Sequence, residues 1–411
     1  MPGPEHVAVP LTTTIDGERR RTARDLPDVV RCGVIDAVYV HVPFCFHKCH
    51  YCDFYSFVDR QDRQGVFVDR LIEEMTAAAH GWSAPLDSIF VGGGTPTLLA
   101  PPHWKRLLAS MRSVLPLSTS LEFTVEANPE TVTPELAEVL AAGGVNRASI
   151  GAQSFEPRHL QTLERWHDPA SVVRAAGILR EAGIDNINLD LIFGIPGQRL
   201  EEWYDDLDAA LALGPSHLSC YGLTYEANTA MTRRLEAGAF ERIDDALEAE
   251  MYGAARTRLA AAGFEQYEIS NWARRAGNGI RACRHNLAYW RSRNWWPLGP
   301  SASGHVEGWR WKNVPRLGDY LDASPWPPIG DVEHLDDDGQ VGERLMLGLR
   351  LNEGIAAAEL KMLLARGARG GQRRAAFERH TTSGLLEWNG DRLRLTPRGQ
   401  LLADTVLAEV V

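Results

Sequence analysis

At 411 residues, 44% hydrophobic and 24% charged, the chain has the size for one large catalytic-type domain and a smaller appendage. No run approaches the eighteen or more apolar residues of a spanning helix, and the N-terminus lacks the apolar centre of a secretory signal, so a cytoplasmic protein is expected. A net charge of −11 works against general nucleic-acid binding, because a polyanion is held mainly by Lys and Arg that displace its counterions.

Residues 1–35 mix Pro, Thr and the charged run Glu18-Arg19-Arg20-Arg21 without periodicity, and read as a loosely ordered extension. From Val38 short β-branched runs alternate with amphipathic stretches. The strand candidates are 38–42, 88–92, 121–127, 147–153, 186–194 and 217–223. Helical segments such as TPELAEVLAAG and PASVVRAAGILREAG lie between them, several closed by the Gly expected past a helix end. Repeated β-α units call for parallel strands with right-handed crossovers, so the α/β fold predicted over 36–264 is a partial (β/α)6 barrel; an open doubly wound sheet has the same rhythm. Residues 265–330, rich in Trp and Gly, lose the alternation and are assigned to an accessory layer beside the barrel mouth. Beyond the acidic break DVEHLDDDG, residues 331–411 combine helices with a hairpin signalled by Asn389-Gly390, which predicts a small winged-helix-like domain.

Three of the six cysteines fall within eight residues, as Cys45-x3-Cys49-x2-Cys52 after the first strand. In a reducing cytoplasm such crowding points to metal binding rather than to a disulfide framework. Three thiolates on one loop can hold three corners of a four-iron cluster and leave the fourth iron open to a substrate. A structural zinc with His41, His47 or His50 as fourth ligand is the competing reading.

Gly92-Gly93-Gly94-Thr95-Pro96 ends the second strand, where parallel β/α folds bind ligands, and consecutive glycines let a backbone approach one closely. Later units bring Glu126, Gln153 and Asp190 at strand ends and Arg165 on the segment after the fourth strand. Carboxylates and amides suit ribose hydroxyls, and a guanidinium suits a carboxylate.

The motifs YVHVPFCFHKCHYCDF, GGGTPTLL, VEANPE, GAQSF, LERWH and NLDLIFGIPGQ resemble those of the radical S-adenosylmethionine (SAM) family that contains the oxygen-independent coproporphyrinogen dehydrogenases and the HemW-type haem chaperones. The resemblance covers residues 38 to about 350. It implies a 4Fe-4S cluster on Cys45, Cys49 and Cys52, with SAM contacts at Tyr39, Gly93, Gly94, Thr95, Glu126, Gln153, Arg165 and Asp190. Tyr51 matches a position facing the adenine, and a ring that only packs the loop is the alternative.

Two features separate the branches. The dehydrogenases carry a further Cys two residues beyond the third cluster ligand, where this chain has Phe54, and a phenyl ring cannot do a thiol's redox or proton chemistry. The string HNLAYW resembles the HNxxYW motif tied to haem binding in the chaperone branch. It makes His285 the candidate axial ligand, with Asn286, Tyr289 and Trp290 in support and Cys283 as an alternative thiolate. The expectation is a haem chaperone that takes haem as cargo and delivers it to acceptor proteins, some at the membrane; oxygen-independent coproporphyrinogen III dehydrogenation is the alternative, and radical chemistry on another small molecule a third. The resemblance also suggests a cluster-dependent homodimer. The Trp-rich stretch after the motif reads as a tetrapyrrole groove or as an aromatic core, and the basic tract ARGARGGQRRAAFERH as a solvated face or as a surface for propionates or anionic lipid.

Overall fold

The β-branched runs form six strands, β1 (Ala37–Val42), β2 (Leu86–Gly93), β3 (Leu117–Ala127), β4 (Arg147–Gln153), β5 (Asn186–Phe193) and β6 (His217–Gly222). In this computed structural model, which describes residues 21–277 and 279–411, they lie side by side in chain order and all pair in parallel. Helices Gln64–Ala79, Pro101–Val114, Pro134–Ala142, Pro169–Glu181 and Leu200–Ala212 connect them. Their starts are set locally, as where Thr133 and Asp168 accept hydrogen bonds from the backbone N–H groups of Leu136 and Ser171.

Strand side chains alternate between two environments. One set, including Val38, Val40, Ile89, Val91, Phe123, Val125, Ala148, Ile150, Leu189 and Leu218, is buried in the core shared with the helices. The opposite set holds Glu126, Ser149, Gln153, Asn188, Asp190 and His217. The barrel interior is therefore polar, unlike the branched aliphatic filling of a closed eight-stranded barrel.

The Trp-rich region departs from its expected position beside the mouth. It extends the same sheet at both edges. On one side β7 (Phe264–Glu268), β8 (Asn271–Ala276) and β9 (Gly279–Ile280) follow β6, with β8 antiparallel to it. On the other, β10 (Trp295–Leu298) runs parallel to β1 and leads to β11 (Ser303–Val306), β12 (Trp309–Asn313) and β13 (Ile329–His334). Trp272, Trp296 and Trp311 are buried, and the rings of Trp296 and Trp311 meet edge to face 5.2 Å apart, so these tryptophans form a core and not a groove.

The charged run before Arg21, with the rest of the extension to residue 20, lies outside the described residues. From residue 21 on the extension is packed: Ile329 N donates to Arg21 O, Ala23 N donates to Pro327 O, and Leu26, Val30 and Ile35 are buried. Short turns achieve this without the periodicity that a sequence reading needs.

The C-terminal part has its own core around Val341, Leu345, Leu349, Phe377, Leu393 and Val406. Helices Asp337–Arg350, Ala357–Ala365 and Gly370–Thr382 precede a hairpin of β15 (Leu386–Asn389) and β16 (Arg392–Leu395), which also pairs with β14 (Ile355–Ala356), giving the winged-helix-like arrangement. The basic tract is largely spent inside this unit. Arg373 is buried against Asp338 and Val410 O, while Arg366 and Arg379 pair with Asp337 and Glu409.

Candidate functional site

The loop after β1 is fixed from both sides. Cys45 N donates to Phe57 O and Phe57 N to Pro43 O, both at 3.0 Å, while Gly94 N and Thr95 N donate to Val42 O and Phe44 O at 2.8 and 2.7 Å. The glycine run is thus bonded to the cysteine loop. A Cβ on Gly94 would stand 2.6 Å from Phe44 O, and one on Gly93, at φ +107°, would stand 2.6 Å from the His41 ring. Closeness to the protein's own loop is reason enough for glycine at these two positions, whatever ligand also approaches.

Cys45 is buried, and Cys49 and Cys52 are half-buried. All three line a cavity of about 760 Å³ at the C-terminal ends of the strands, together with Tyr51, Gly93, Gly94, Thr95, Glu126, Gln153, Arg165 and Asp190. The volume is in the range of small-molecule and cofactor sites. Thr95 Oγ1 lies 3.6 Å from Cys45 Sγ, and an Arg165 guanidinium nitrogen lies 3.6 Å from Cys49 Sγ. Burial raises the Cys52 thiol to about 11.

Of the histidines proposed for zinc, His41 and His50 are engaged by other groups, while His47 lines the cavity with the cysteines and its Nε2 is buried without a hydrogen-bond partner. His41 Nε2 is 2.8 Å from Tyr55 O and its Nδ1 faces Tyr39; His47 stacks on Trp166; His50 Nδ1 meets Arg234. Among the described residues no three His, Cys, Asp or Glu side chains converge as tightly as a single ion requires. Three thiols on one cavity wall suit a multi-atom cluster. Beside them Arg165 NH2 donates to Gly151 O at 2.8 Å, and its Nε is buried without a partner, a donor suited to a carboxylate. Three thiols and this cation fit a cluster with one open iron and SAM next to it; the pair supplies one-electron chemistry when bound.

Glu126 accepts a hydrogen bond from Gly93 N at 3.1 Å, and burial together with the Asp190 charge raises its carboxyl to about 7. Asp190 accepts from Ser149 Oγ and Asn188 Nδ2, both at 2.9 Å. Gln153 sits at φ +64° where the β4–β5 register shifts, turning the strand end toward the cavity. Tyr51 lines the cavity and also packs with Leu163, Ile192 and Leu223.

Tyr39 departs from its expected place. It does not line the cavity: its hydroxyl is 3.2 Å from His41 Nδ1 and its ring lies 6.3 Å from both Phe90 and His285, deeper in the barrel. Sequence reasoning passed over Ser149, Trp166 and Tyr221, which do line the cavity. Ser149 was accessible through alternation, since it shares a strand face with Gly151 and Gln153.

The haem candidates lie at the other end of the barrel. Residues Arg284–Trp290 form a helix whose first N–H groups, of Arg284 and His285, point at Glu122 Oε1. His285 is 2% exposed, with Nδ1 3.0 Å from Ser88 Oγ and Nε2 2.8 Å from Tyr289 OH. Burial, with Arg147 nearby, lowers its imidazole to about 3. Asn286 Nδ2 donates to Tyr267 OH, and Trp290 carries the Arg350 guanidinium over its ring. Cys283 is buried at the helix start, and burial pushes its thiol up to about 12. Outside the helix lies a second cavity of about 800 Å³, bordered by Ser88, Tyr267, Leu287, Ala288, Arg291 and Arg392 among others. His285 is therefore one side chain behind this cavity and not exposed in it.

A six-strand partial barrel with three cysteines on the loop after β1 and a cavity above the strand ends defines a radical SAM protein. The Radical SAM superfamily model matches residues 39–210, and the HemN C-terminal domain model matches residues 335–402. A cluster and SAM are the cofactors this match implies. The chain belongs to the haem chaperone HemW family. It is 40% identical over 377 residues to "Heme chaperone HemW" of Mycobacterium tuberculosis, covering 90% of this chain and 93% of the relative, and 34% identical over 374 residues to that of Bacillus subtilis, covering 90% and 97%. The solved structure of coproporphyrinogen III oxidase (HemN) from Escherichia coli superposes with a TM-score of 0.79 over 93% of this chain and 91% of that one, at 20% identity, and so shares the fold. Among the described residues no helix is long and apolar enough to cross a membrane.

Proposed function

We propose that this protein is a haem chaperone: it carries a 4Fe-4S cluster on Cys45, Cys49 and Cys52 with SAM beside it, binds haem at the far end of the barrel, and passes haem to acceptor proteins. The observation that carries this reading is likeness over nine-tenths of the chain to proteins named for haem chaperoning. Phe54, at the position of the dehydrogenases' extra thiol, agrees with it. SAM contacts fall to Tyr51, Gly93, Gly94, Thr95, Glu126, Gln153, Arg165 and Asp190, all on the first cavity.

Haem meets the helix with His285, Asn286, Tyr289 and Trp290. Leu287 and Ala288 give the second cavity an apolar wall, and Arg291 and Arg392 stand where propionates need cations. Coordination by His285 requires it to give up Ser88 or Tyr289. The same reading divides the chain at residues 35, 264 and 330, sets the protein in the cytoplasm with some acceptors at the membrane, and pairs two copies when the cluster is present.

Anaerobically reconstituted protein is titrated with haem as wild type and as His285→Ala, and the same wild-type preparation is assayed for coproporphyrinogen decarboxylation. Stoichiometric haem binding that weakens in the variant, without decarboxylation, is the expected result. Decarboxylation, or haem binding indifferent to His285, overturns the reading.

A further inference from the structure

The two cavities at opposite ends of the barrel are joined by one run of buried hydrogen bonds. Asp190 lines the first cavity and Tyr267 the second. Between them Asn188 Nδ2 donates to Asp190 Oδ1 at 2.9 Å, Asn188 Oδ1 lies 2.6 Å from His217 Nδ1, His217 Nε2 lies 2.9 Å from Tyr267 OH, and Asn286 Nδ2 reaches Tyr267 OH at 3.2 Å. Asn188 and His217 are each 1% exposed, so bulk solvent does not reach these partners.

The direction of the run is fixed. Asn188 Nδ2 also donates to Ser149 Oγ at 2.7 Å, which leaves its Oδ1 to face His217. His217 must then carry its proton on Nδ1, and its Nε2 accepts from the Tyr267 hydroxyl. Tyr267, having donated, accepts from Asn286 of the helix Arg284–Trp290. Every bond points toward the Asp190 carboxylate, and bonds so aligned polarise one another. A ligand that hydrogen-bonds Asp190 changes the acceptor on which the whole run ends.

We propose that the run Asp190–Asn188–His217–Tyr267–Asn286 couples the two ends of the barrel, so that SAM at Asp190 steadies the helix Arg284–Trp290 and strengthens binding of a tetrapyrrole in the cavity beside it. The tetrapyrrole clause rests on the chaperone reading above; the helix clause does not. Linkage requires the effect to be mutual, with each ligand raising affinity for the other by one factor.

The experiment uses cluster-loaded full-length protein, anaerobic, with no reductant, so that SAM binds uncleaved. Amide hydrogen exchange of residues 284–290 is followed with and without saturating SAM in wild type, Tyr267→Phe and Asn286→Leu. The first variant deletes the hydroxyl that links His217 to Asn286, and the second deletes only the last bond. SAM is expected to slow exchange across this helix several-fold in wild type and not in the variants. Equal slowing in a folded variant, or none in wild type, overturns the proposal. Haem titration with and without SAM is the second arm: about fivefold tighter binding is expected in wild type, falling to no difference in the variants, and SAM-independent haem affinity in wild type also overturns it. If wild type binds no haem at all, the chaperone reading fails while the exchange measurement still decides the coupling.

Discussion

Ser88 Oγ, on β2, lies 3.0 Å from Nδ1 of His285, and the serine stands between the motif imidazole and the second cavity. Burial and Arg147 hold His285 neutral, with its imidazole lowered to about 3, and a neutral imidazole is the form that binds iron. Ser88→Ala removes the competitor. The net worth of such a bond is about 1 kcal/mol, so haem affinity should rise roughly threefold to fivefold while folding stability falls by a similar energy. Haem titration and denaturant unfolding of the same variant check both halves, and weaker haem binding would mean that His285 ligates nothing.

Gly94 offers a sharper test of the cysteine loop. An added Cβ would stand 2.6 Å from Phe44 O and 2.9 Å from Val42 O, both backbone atoms tied into the loop and unable to swing aside. Gly94→Ala should cost about 2 kcal/mol or more, and iron bound per chain after reconstitution should drop in proportion to the loop displaced. Gly177, inside the helix Pro169–Glu181, has nothing within 4 Å of an added Cβ. Gly177→Ala should leave iron content unchanged and stabilise by roughly 0.5–1 kcal/mol.

Much of this is legible in the sequence. Alternation along β4 and β5 sorts Ile150 and Leu189 to the helices and Gln153 and Asp190 to the interior, and the cysteine spacing with the glycine run sets the chemistry at one end. What stayed hidden depends on closure in three dimensions. His217 and Asn188 are polar letters alternating with apolar ones, and the pairing register of β5 with β6, which sets them opposite each other, brings them within 2.6 Å. Tyr39 lies on the strand that leads into the cysteine loop, yet its ring sits deeper, toward His285. The Trp-rich stretch carries no sign of which end or edge it occupies, because aromatic density marks burial and not direction. The sequence therefore points the helix Arg284–Trp290 to the mouth, whereas it lies at the opposite end.

Glu126 sets a pH dependence whose sign can be worked out. Its folded carboxyl is raised to about 7 by burial and by Asp190, above the ordinary glutamate value of 4.5. The folded state therefore holds the proton more tightly than the unfolded chain does. This contribution to stability is complete below about pH 4.5 and is lost as pH rises through about 7. Cofactor-free Glu126→Gln lacks the ionisation, so relative to wild type its thermal midpoint should gain ground between pH 5 and pH 8. A constant difference across that range would mean that Glu126 titrates normally.

Phe54 marks the branch point from the dehydrogenases and is 62% exposed at the rim of the first cavity. Substituting it disturbs little packing, so Phe54→Cys should fold, bind its cluster and leave stability within about 0.5 kcal/mol. The thiol alone should not confer coproporphyrinogen decarboxylation. Oxidative decarboxylation takes hydrogen and electrons from a bound porphyrinogen and so needs that substrate held at reacting distance, and positioning depends on the whole cavity wall, including the exposed Phe46 and Trp166, whose rings meet 5.6 Å apart across the rim. Anaerobic assay of the reconstituted variant with SAM and reductant checks this. Turnover well above wild type would show that one side chain separates the two activities and that the cavity already accepts the dehydrogenase substrate.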